Sequence, residues 1–139
     1  MKEASLALVL NMAGELLAAS HEVAGWSLLG GKAEDHDLGP KSVLERELRE
    51  ELGVDVHPQH MALVVQAQGT ERLVRIYHVS AMPAGWRAAE GQELRWMTFS
   101  VFLAETGYAP FYRRAFPDDV LHFRPTRFDP IHPALSIRR

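Results

Sequence analysis

The 139-residue sequence contains no cysteine. Disulfide bonds and thiolate-bound metal ions are therefore excluded, and a reducing compartment, the cytoplasm, is expected. Charge of one sign is not in excess either, because 15 lysines and arginines stand against 18 acidic residues, for a formal net charge of -3. The chain thus lacks the broad basic surface that a nucleic-acid polymer or an anionic membrane requires, and neither partner is expected.

Long apolar runs are also missing. The first apolar stretch, residues 6–10, imitates the core of a secretory signal, but Asn11 and Gly14 interrupt it. The remaining run is too short for a signal core or a membrane span. We therefore expect a β-hairpin, with one strand before a turn at 11–14 and a second over 15–19.

What is present is an ordinary globular composition, with 47% hydrophobic and 24% charged residues, which predicts a single domain over 1–139. Four prolines after Phe116 favour an extended C-terminal tail, about 117–139. Nothing in the sequence predicts an oligomeric state. Further extended segments are expected at Trp26–Leu29, Met61–Ala67, Arg72–Val79 and Leu94–Met97, a loop over Pro83–Gln92, and a helix from Ser100 onward.

A helix is predicted over 40–52. Pro40 suits the first helical position, and Gly53 stands where a left-handed C-terminal cap belongs. At about 100° per residue, three leucines (Leu44, Leu48 and Leu52) fall on one face, which is the natural core face.

Three carboxylates, Glu47, Glu50 and Glu51, share the adjacent arc of this helix, while Arg46 and Arg49 are expected on the far side. Carboxylates this close repel one another, and a hard divalent cation such as Mg²⁺ or Mn²⁺ removes the conflict. The alternative is a solvated helix face with ion pairs four residues apart, Arg46 with Glu50 and Glu45 with Arg49.

A longer stretch of sequence decides between the metal site and the solvated helix face. Gly30-Gly31-Lys32-Ala33-Glu34, followed by Arg46-Glu47-Leu48-Arg49-Glu50-Glu51-Leu52-Gly53-Val54, resembles the Nudix box, G-x5-E-x7-R-E-U-x-E-E-x-G-U with U a bulky aliphatic residue. The second half matches at every specified position, so the box is placed at 31–54.

The first half departs from the pattern. Counting forward from Gly31, the family's first glutamate falls at Asp37, whereas counting back from Arg46 it falls at Leu38, so the loop holds one extra residue. Asp37 is the nearby carboxylate that can substitute for it. Leu29 also stands where a proline commonly precedes the glycine pair.

The resemblance implies an α/β/α sandwich with a central mixed sheet and a loop-helix-loop motif. It implies hydrolysis of a nucleoside diphosphate linked to a moiety X, with Mg²⁺ or Mn²⁺ as cofactor. Carried over by position, Glu50 and Glu51 are the main metal ligands, Glu47 is a further ligand or the base, the Gly30 carbonyl is an additional ligand, and Arg46 orients the glutamates.

A further glutamate is expected from a loop. Glu90-Gly91-Gln92, followed by Trp96-Met97, resembles the corresponding stretch of MutT-type nucleoside triphosphate hydrolases, so Glu90 is chosen over Glu93 as ligand or base. Between Glu47 and Glu90 the identity of the base stays open. The alternative is that both loop acids are ordinary surface residues.

Substrate choice depends on residues outside the box. The proline of many ADP-ribose hydrolases and the tyrosine of many dinucleoside polyphosphate hydrolases are missing, since Gln68, Gly69 and Thr70 stand there. A small-molecule substrate, by default a nucleoside triphosphate, is therefore expected. The side chains that bind it are not predicted, and aromatic residues such as Trp26, Tyr77, Phe111 and Tyr112 are more often core than stacking platforms.

Two other functions remain as alternatives. One is a nucleotide-sugar or ADP-ribose pyrophosphatase. The other is a non-catalytic nucleotide-sensing or partner-binding module on the Nudix fold, favoured by the altered first half of the box and by the proline-rich tail.

Overall fold

The computed structural model describes residues 2–118 and 120–130. In chain order the elements are β1 (Glu3–Leu8), β2 (Leu16–His21), β3 (Gly25–Lys32), α1 (Pro40–Leu52), β4 (Met61–Gln68), β5 (Leu73–Val79), β6 (Ala81–Pro83), β7 (Leu94–Met97), α2 (Phe99–Glu105), α3 (Ala109–Ala115) and β8 (Arg127–Asp129). A short 3-10 turn, Pro58–His60, precedes β4. Within the described residues, no helix is long and apolar enough to cross a membrane.

Six strands form one sheet in the order β4-β5-β1-β3-β2-β7. The pairing of β1 with β5 is parallel, and the other pairings in this sheet are antiparallel. Strands β6 and β8 form a separate two-stranded parallel ladder. The sheet is therefore mixed, as expected.

The sheet separates two apolar cores, because successive side chains of a strand point to opposite faces. On one face, Leu29 and Tyr77 pack with the leucines of α1. On the other, Leu28 and Ile76 pack with residues of α2 and α3. Helices thus cover both faces, which confirms the predicted α/β/α sandwich.

Helix α1 has the predicted bounds. Pro40 occupies its first turn, and Gly53 caps its end with φ 70° while its N–H donates to the Arg49 carbonyl. The three core-facing leucines are fully buried. Buried Ser5 of β1 donates its hydroxyl to the Pro40 carbonyl at 2.8 Å, which ties the start of the helix to the sheet.

Three expectations needed correction. The turn at 11–14 forms, but β1 and β2 share only the bridge between Leu10 and Leu16, because β3 lies between them and pairs with both. The helix expected from Ser100 onward is two short helices, α2 and α3. The tail contains β8, while residues 131–139 lie outside the described part of the chain.

Candidate active site

Gly30 and Gly31 bring the sheet into contact with α1. Gly30 has φ 127°, and a Cβ there would meet the Ser5 carbonyl oxygen at 2.2 Å. A Cβ on Gly31 would lie 2.6 Å from the carboxylate of Glu47. The first glycine therefore permits the close approach of two strands, and the second leaves room for a site carboxylate.

Arg46 is the centre of the hydrogen-bond network at the helix. Its Nε and Nη2 each donate to the Asp37 carboxylate at 3.0 Å, and Nη2 also donates to the Lys32 carbonyl at 3.0 Å. Its Nη1 donates to Glu47 at 3.1 Å and to Glu50 at 2.8 Å. The bidentate contact with Asp37 fixes the plane of the guanidinium, which in turn fixes both glutamates.

This arrangement corrects the expected orientation of Arg46. The side chain does not lie on the far side of α1, since only 17% of it is exposed and it folds back toward the loop. Arg49 does point outward, where it pairs with Asp55 at 2.7 Å and with Glu45 at 3.8 Å. Periodicity alone cannot show that a long side chain reaches back across its own helix. The Lys32 carbonyl likewise carries no sequence signal, because every residue has one.

Glu51 is held apart from this network. Its Oε1 accepts a hydrogen bond from the Gly30 N–H at 2.8 Å. Burial raises the pKa of Glu51 to about 8, and the nearby Glu47 and Glu90 carboxylates act in the same direction. Burial also raises the pKa of Glu47, although Arg46 opposes that shift. Both carboxylates have therefore lost part of their hydration without a cation that fully replaces it.

The loop that carries Glu90 lies against the C-terminal end of α1. The Ala89 N–H and the Gln92 side-chain amide both donate to the Glu51 carbonyl, at 2.9 and 3.2 Å. Glu90 is exposed, and its charge raises the pKa of both Glu47 and Glu51. Glu93 instead accepts a hydrogen bond from Arg95 at 2.7 Å. Of these two loop acids, Glu90 is thus the one adjacent to the helix carboxylates.

The aromatic residues considered for stacking have structural partners. Tyr77 and Tyr112 are buried, one in each core. Arg95 lies over the Trp26 ring at 4.8 Å, and Arg114 over the Phe111 ring at 5.9 Å. Trp26 and Phe111 also pack against the second core, so all four residues have the structural contacts typical of core aromatics.

The donor set fits a hard divalent cation in its chemistry. Three carboxylates and the Gly30 backbone are oxygen ligands of the type Mg²⁺ and Mn²⁺ prefer. Within residues 2–118 and 120–130, however, no three acidic or histidine side chains already converge to hold a metal ion. Arg46 Nη1 donates to one oxygen of Glu47 and, at 2.8 Å, to one oxygen of Glu50, so each carboxylate keeps further lone pairs for a cation.

The sandwich, the glycine pair and the arginine-braced glutamates are features of a Nudix-type domain. The sequence profile of the NUDIX domain matches residues 2–118, and the chain belongs to this family. Membership supports a hydrolase that acts on pyrophosphate bonds, and Nudix hydrolases generally use divalent metal ions. Among curated proteins, none matches the chain.

Solved structures share the fold. A structure from work on MutT of Aliivibrio salmonicida and Vibrio cholerae is 19% identical, with a TM-score of 0.69 over 88% of this chain and 98% of that one. The E. coli ORF135 protein is 25% identical, with a TM-score of 0.69 over 85% and 89%. MutT from Methanosarcina mazei is 23% identical, with a TM-score of 0.62 over 84% and 91%.

A double-mutant cycle should show strong coupling between Asp37 and Arg46. Asp37→Asn and Arg46→Gln should each lower the free energy of unfolding by about 1–3 kcal/mol. Arg46→Gln leaves the largely buried Asp37 charge unpaired, and Asp37→Asn removes the bidentate partner of Arg46. The double variant should lose less than the sum, by about 0.5–3 kcal/mol in urea denaturation. The exposed Arg49–Asp55 pair on the same helix is the control, and its coupling should stay below about 1 kcal/mol. Additive losses for Asp37 and Arg46 would contradict the proposed bracing.

The raised pKa of Glu51 predicts a pH-dependent stability of the metal-free protein. The folded state binds this proton more tightly than the unfolded chain, so the contribution is present below the ordinary pKa of 4.5 and lost as pH rises toward about 8. Glu51→Gln keeps the acceptor for Gly30 but removes the charge. In a chelator, its Tm should exceed that of wild type near pH 8 and match it near pH 4.5. Glu22→Gln, at an exposed carboxyl, is the control; an equal Tm difference at both pH values would contradict the assignment.

Proposed function

We propose that this protein hydrolyses a pyrophosphate bond of a nucleoside triphosphate with the help of Mg²⁺ or Mn²⁺. The observation that carries the proposal is the set of three glutamates on one arc of α1, two of them oriented by Arg46 and the third by the Gly30 N–H. A purely structural salt-bridge network does not require a partly buried carboxylate that has no cationic partner among residues 2–118 and 120–130, which is the state of Glu51.

The metal ligands in this proposal are Glu50 and Glu51, with Glu47 and the Gly30 carbonyl as further donors, and Glu90 is either a further ligand or the base. A bound cation supplies charge neutralisation at the phosphates and lowers the pKa of a coordinated water. It would also relieve the repulsion that raises the pKa of Glu47 and Glu51. Glu47 and Glu51 gain most from it, since burial has removed water from both.

Arg46 is a positioning residue in this scheme, because it holds the glutamates and touches no reacting atom. The water that attacks phosphorus must lose a proton, so a carboxylate must be free to accept it. Glu47 accepts a hydrogen bond from Arg46 and packs on Gly31. The exposed Glu90 carboxylate has no hydrogen-bond partner among the described residues. We therefore assign the base to Glu90 and keep Glu47 as a ligand.

The triphosphate is proposed over other substrates for two reasons. The residues typical of ADP-ribose and dinucleoside polyphosphate hydrolases are absent at 68–70, at the end of β4 and the start of the turn to β5. Several solved structures with this fold are also MutT proteins. Neither reason specifies which nucleobase the triphosphate carries. The four aromatic residues considered above do not specify it either, because they pack against other parts of the protein.

A hydrolysis screen tests the proposal. Phosphate and pyrophosphate release should be measured across nucleoside triphosphates, dinucleoside polyphosphates and nucleotide sugars with Mg²⁺ or Mn²⁺. Triphosphates should be cleaved. Glu50→Gln and Glu51→Gln should each reduce turnover by more than about 100-fold, since removing even a group that only hydrogen-bonds to a metal ligand lowers activity or metal affinity by about 10–100-fold. Glu45→Gln is the control on the same helix and should keep near wild-type turnover.

Two outcomes would redirect the assignment. Cleavage of nucleotide sugars or ADP-ribose alone would keep the site and change the substrate. Nucleotide binding without hydrolysis under any metal would instead indicate the non-catalytic module.

Substitutions of the two loop carboxylates, Glu90 and Glu93, test which of them is the general base. Glu90→Gln should lower kcat by about 10²–10⁴-fold, because the variant cannot accept the proton of the attacking water. Glu93→Gln should have little effect, since Glu93 pairs with Arg95 instead. Both are surface positions, so matched Tm values would confirm intact folding. Equal losses for the two variants would contradict the assignment of Glu90.

A further inference from the structure

A cleft in the described structure lies away from the carboxylates. It has a volume of about 600 Å³, and its wall includes His78, Ser80, His122 and Arg124. His78 follows Ile76 by two residues on β5, so it lies on the sheet face that carries α2 and α3. The carboxylates belong to α1, on the opposite face.

Most of the exposed surface of this wall is apolar, with Phe123 and Pro125 among the lining residues, and its polar groups are cationic or hydrogen-bonding. Among the described residues, no acidic side chain lines the cleft. The Arg127 guanidinium at its edge pairs with Asp129 at 2.7 Å, so that charge is already compensated. Arg124 is exposed, and no described acidic side chain forms an ion pair with it. The net charge that the cleft offers a ligand is therefore positive and comes from Arg124.

The cleft is held in shape by a buried hydrogen-bond network. Thr126, which is 5% exposed, donates its hydroxyl to the Val79 carbonyl at 2.7 Å and accepts from the Leu10 N–H at 3.1 Å. The Arg127 N–H donates to the Ser80 carbonyl at 2.8 Å. These bonds fix residues 124–127 against the ends of β1 and β5, so the wall exists before any ligand arrives.

One of the two histidines, His78, already forms a hydrogen bond within the protein. His78 Nε2 lies 2.8 Å from the Arg124 carbonyl, and a carbonyl only accepts, so this nitrogen donates. The same ring stacks on Phe123 with centroids 5.5 Å apart. This contact anchors the backbone of Arg124, and the Arg124 guanidinium and the His122 ring remain as polar groups of the cleft wall. The Ser80 hydroxyl donates to the His60 carbonyl at 3.3 Å.

We propose that this cleft binds the phosphate of a small phosphorylated molecule at a site separate from the α1 carboxylates. The Arg124 guanidinium and the His122 imidazole are donor types that recognise phosphate oxygens. The volume suits a small ligand better than a protein segment, since pockets for such ligands span about 300–1,000 Å³. Acidic α1 repels the same anions when no metal is bound, so the two faces of the sheet differ in what they attract.

Anion titrations in a metal chelator test this proposal. Inorganic pyrophosphate and adenosine monophosphate should be titrated separately against the ¹⁵N-labelled protein, which distinguishes a free polyphosphate from a nucleotide phosphate. At least one probe should shift the amides of Ser80, His122 and Arg127, and not those of α1. Arg124→Gln should weaken that binding at least about tenfold, whereas Arg113→Gln, at an exposed arginine of α3, should change it less than about twofold.

Several results would overturn the proposal. They are the absence of shifts with both probes, shifts confined to α1, or equal affinity for wild type and Arg124→Gln. Because His78 bonds to the backbone of Arg124, this substitution leaves the wall intact. Metal-dependent hydrolysis by Arg124→Gln should equal that of wild type. A parallel loss of hydrolysis would place Arg124 in the substrate site and contradict a separate one, whereas binding without any hydrolysis by wild type would count only against the proposed enzymatic function.

Discussion

The candidate site depends on the Arg46 guanidinium, which is surrounded by carboxylates. Arg46 contacts Asp37, Glu47 and Glu50 at the same time, and its fork also reaches the Lys32 carbonyl. A lysine could not replace it, because a single ammonium on a flexible stem cannot donate to these carboxylates and the Lys32 carbonyl at the same time with fixed geometry. The network neutralises part of the repulsion along α1 and leaves Glu51 as a partly buried carboxylate that forms no ion pair with the described residues. A structure that compensated every carboxylate would have nothing to offer a metal ion.

The backbone at Gly30 and Gly31 also positions the carboxylates. Gly30 lies so close to β1 that no side chain fits, and Gly31 leaves the space that the Glu47 carboxylate occupies. Glu51 then bonds to the Gly30 N–H from the other side. Strand end and helix are therefore coupled through two residues without side chains. Substituting either residue would act on the carboxylates through geometry rather than charge.

Local signals in the sequence predicted local structure well. Pro40 and Gly53 predict both ends of α1, and the leucine period predicts its buried face, because helix caps and periodicity act over a few residues. Non-local pairing was not predictable in this way. The turn at 11–14 suggests a hairpin, yet β3 separates its two strands. Strand β8 exists only because Phe128 and its neighbours find β6, about 45 residues earlier.

The site shows the same division between local and non-local information. Which residue types meet at α1 follows from the box pattern, but the direction of Arg46 depends on a loop whose length departs from that pattern. Asp37 is one methylene shorter than the expected glutamate, and the loop is one residue longer. The reciprocal bonds between Asp37 and Glu34, at 2.8 and 3.0 Å, close the loop and aim the carboxylate at Arg46.

The surplus residue is left outside that closed loop. Leu38 is 96% exposed, an unusual position for a leucine, and it directly follows the aspartate. Asp37 reaches the guanidinium from this longer loop, and the apolar side chain of Leu38 is left in water. If Asp37 substitutes for the family's glutamate, as we propose, the extra backbone unit offsets the missing methylene, and the constraint at this position is the distance from a carboxylate to the guanidinium.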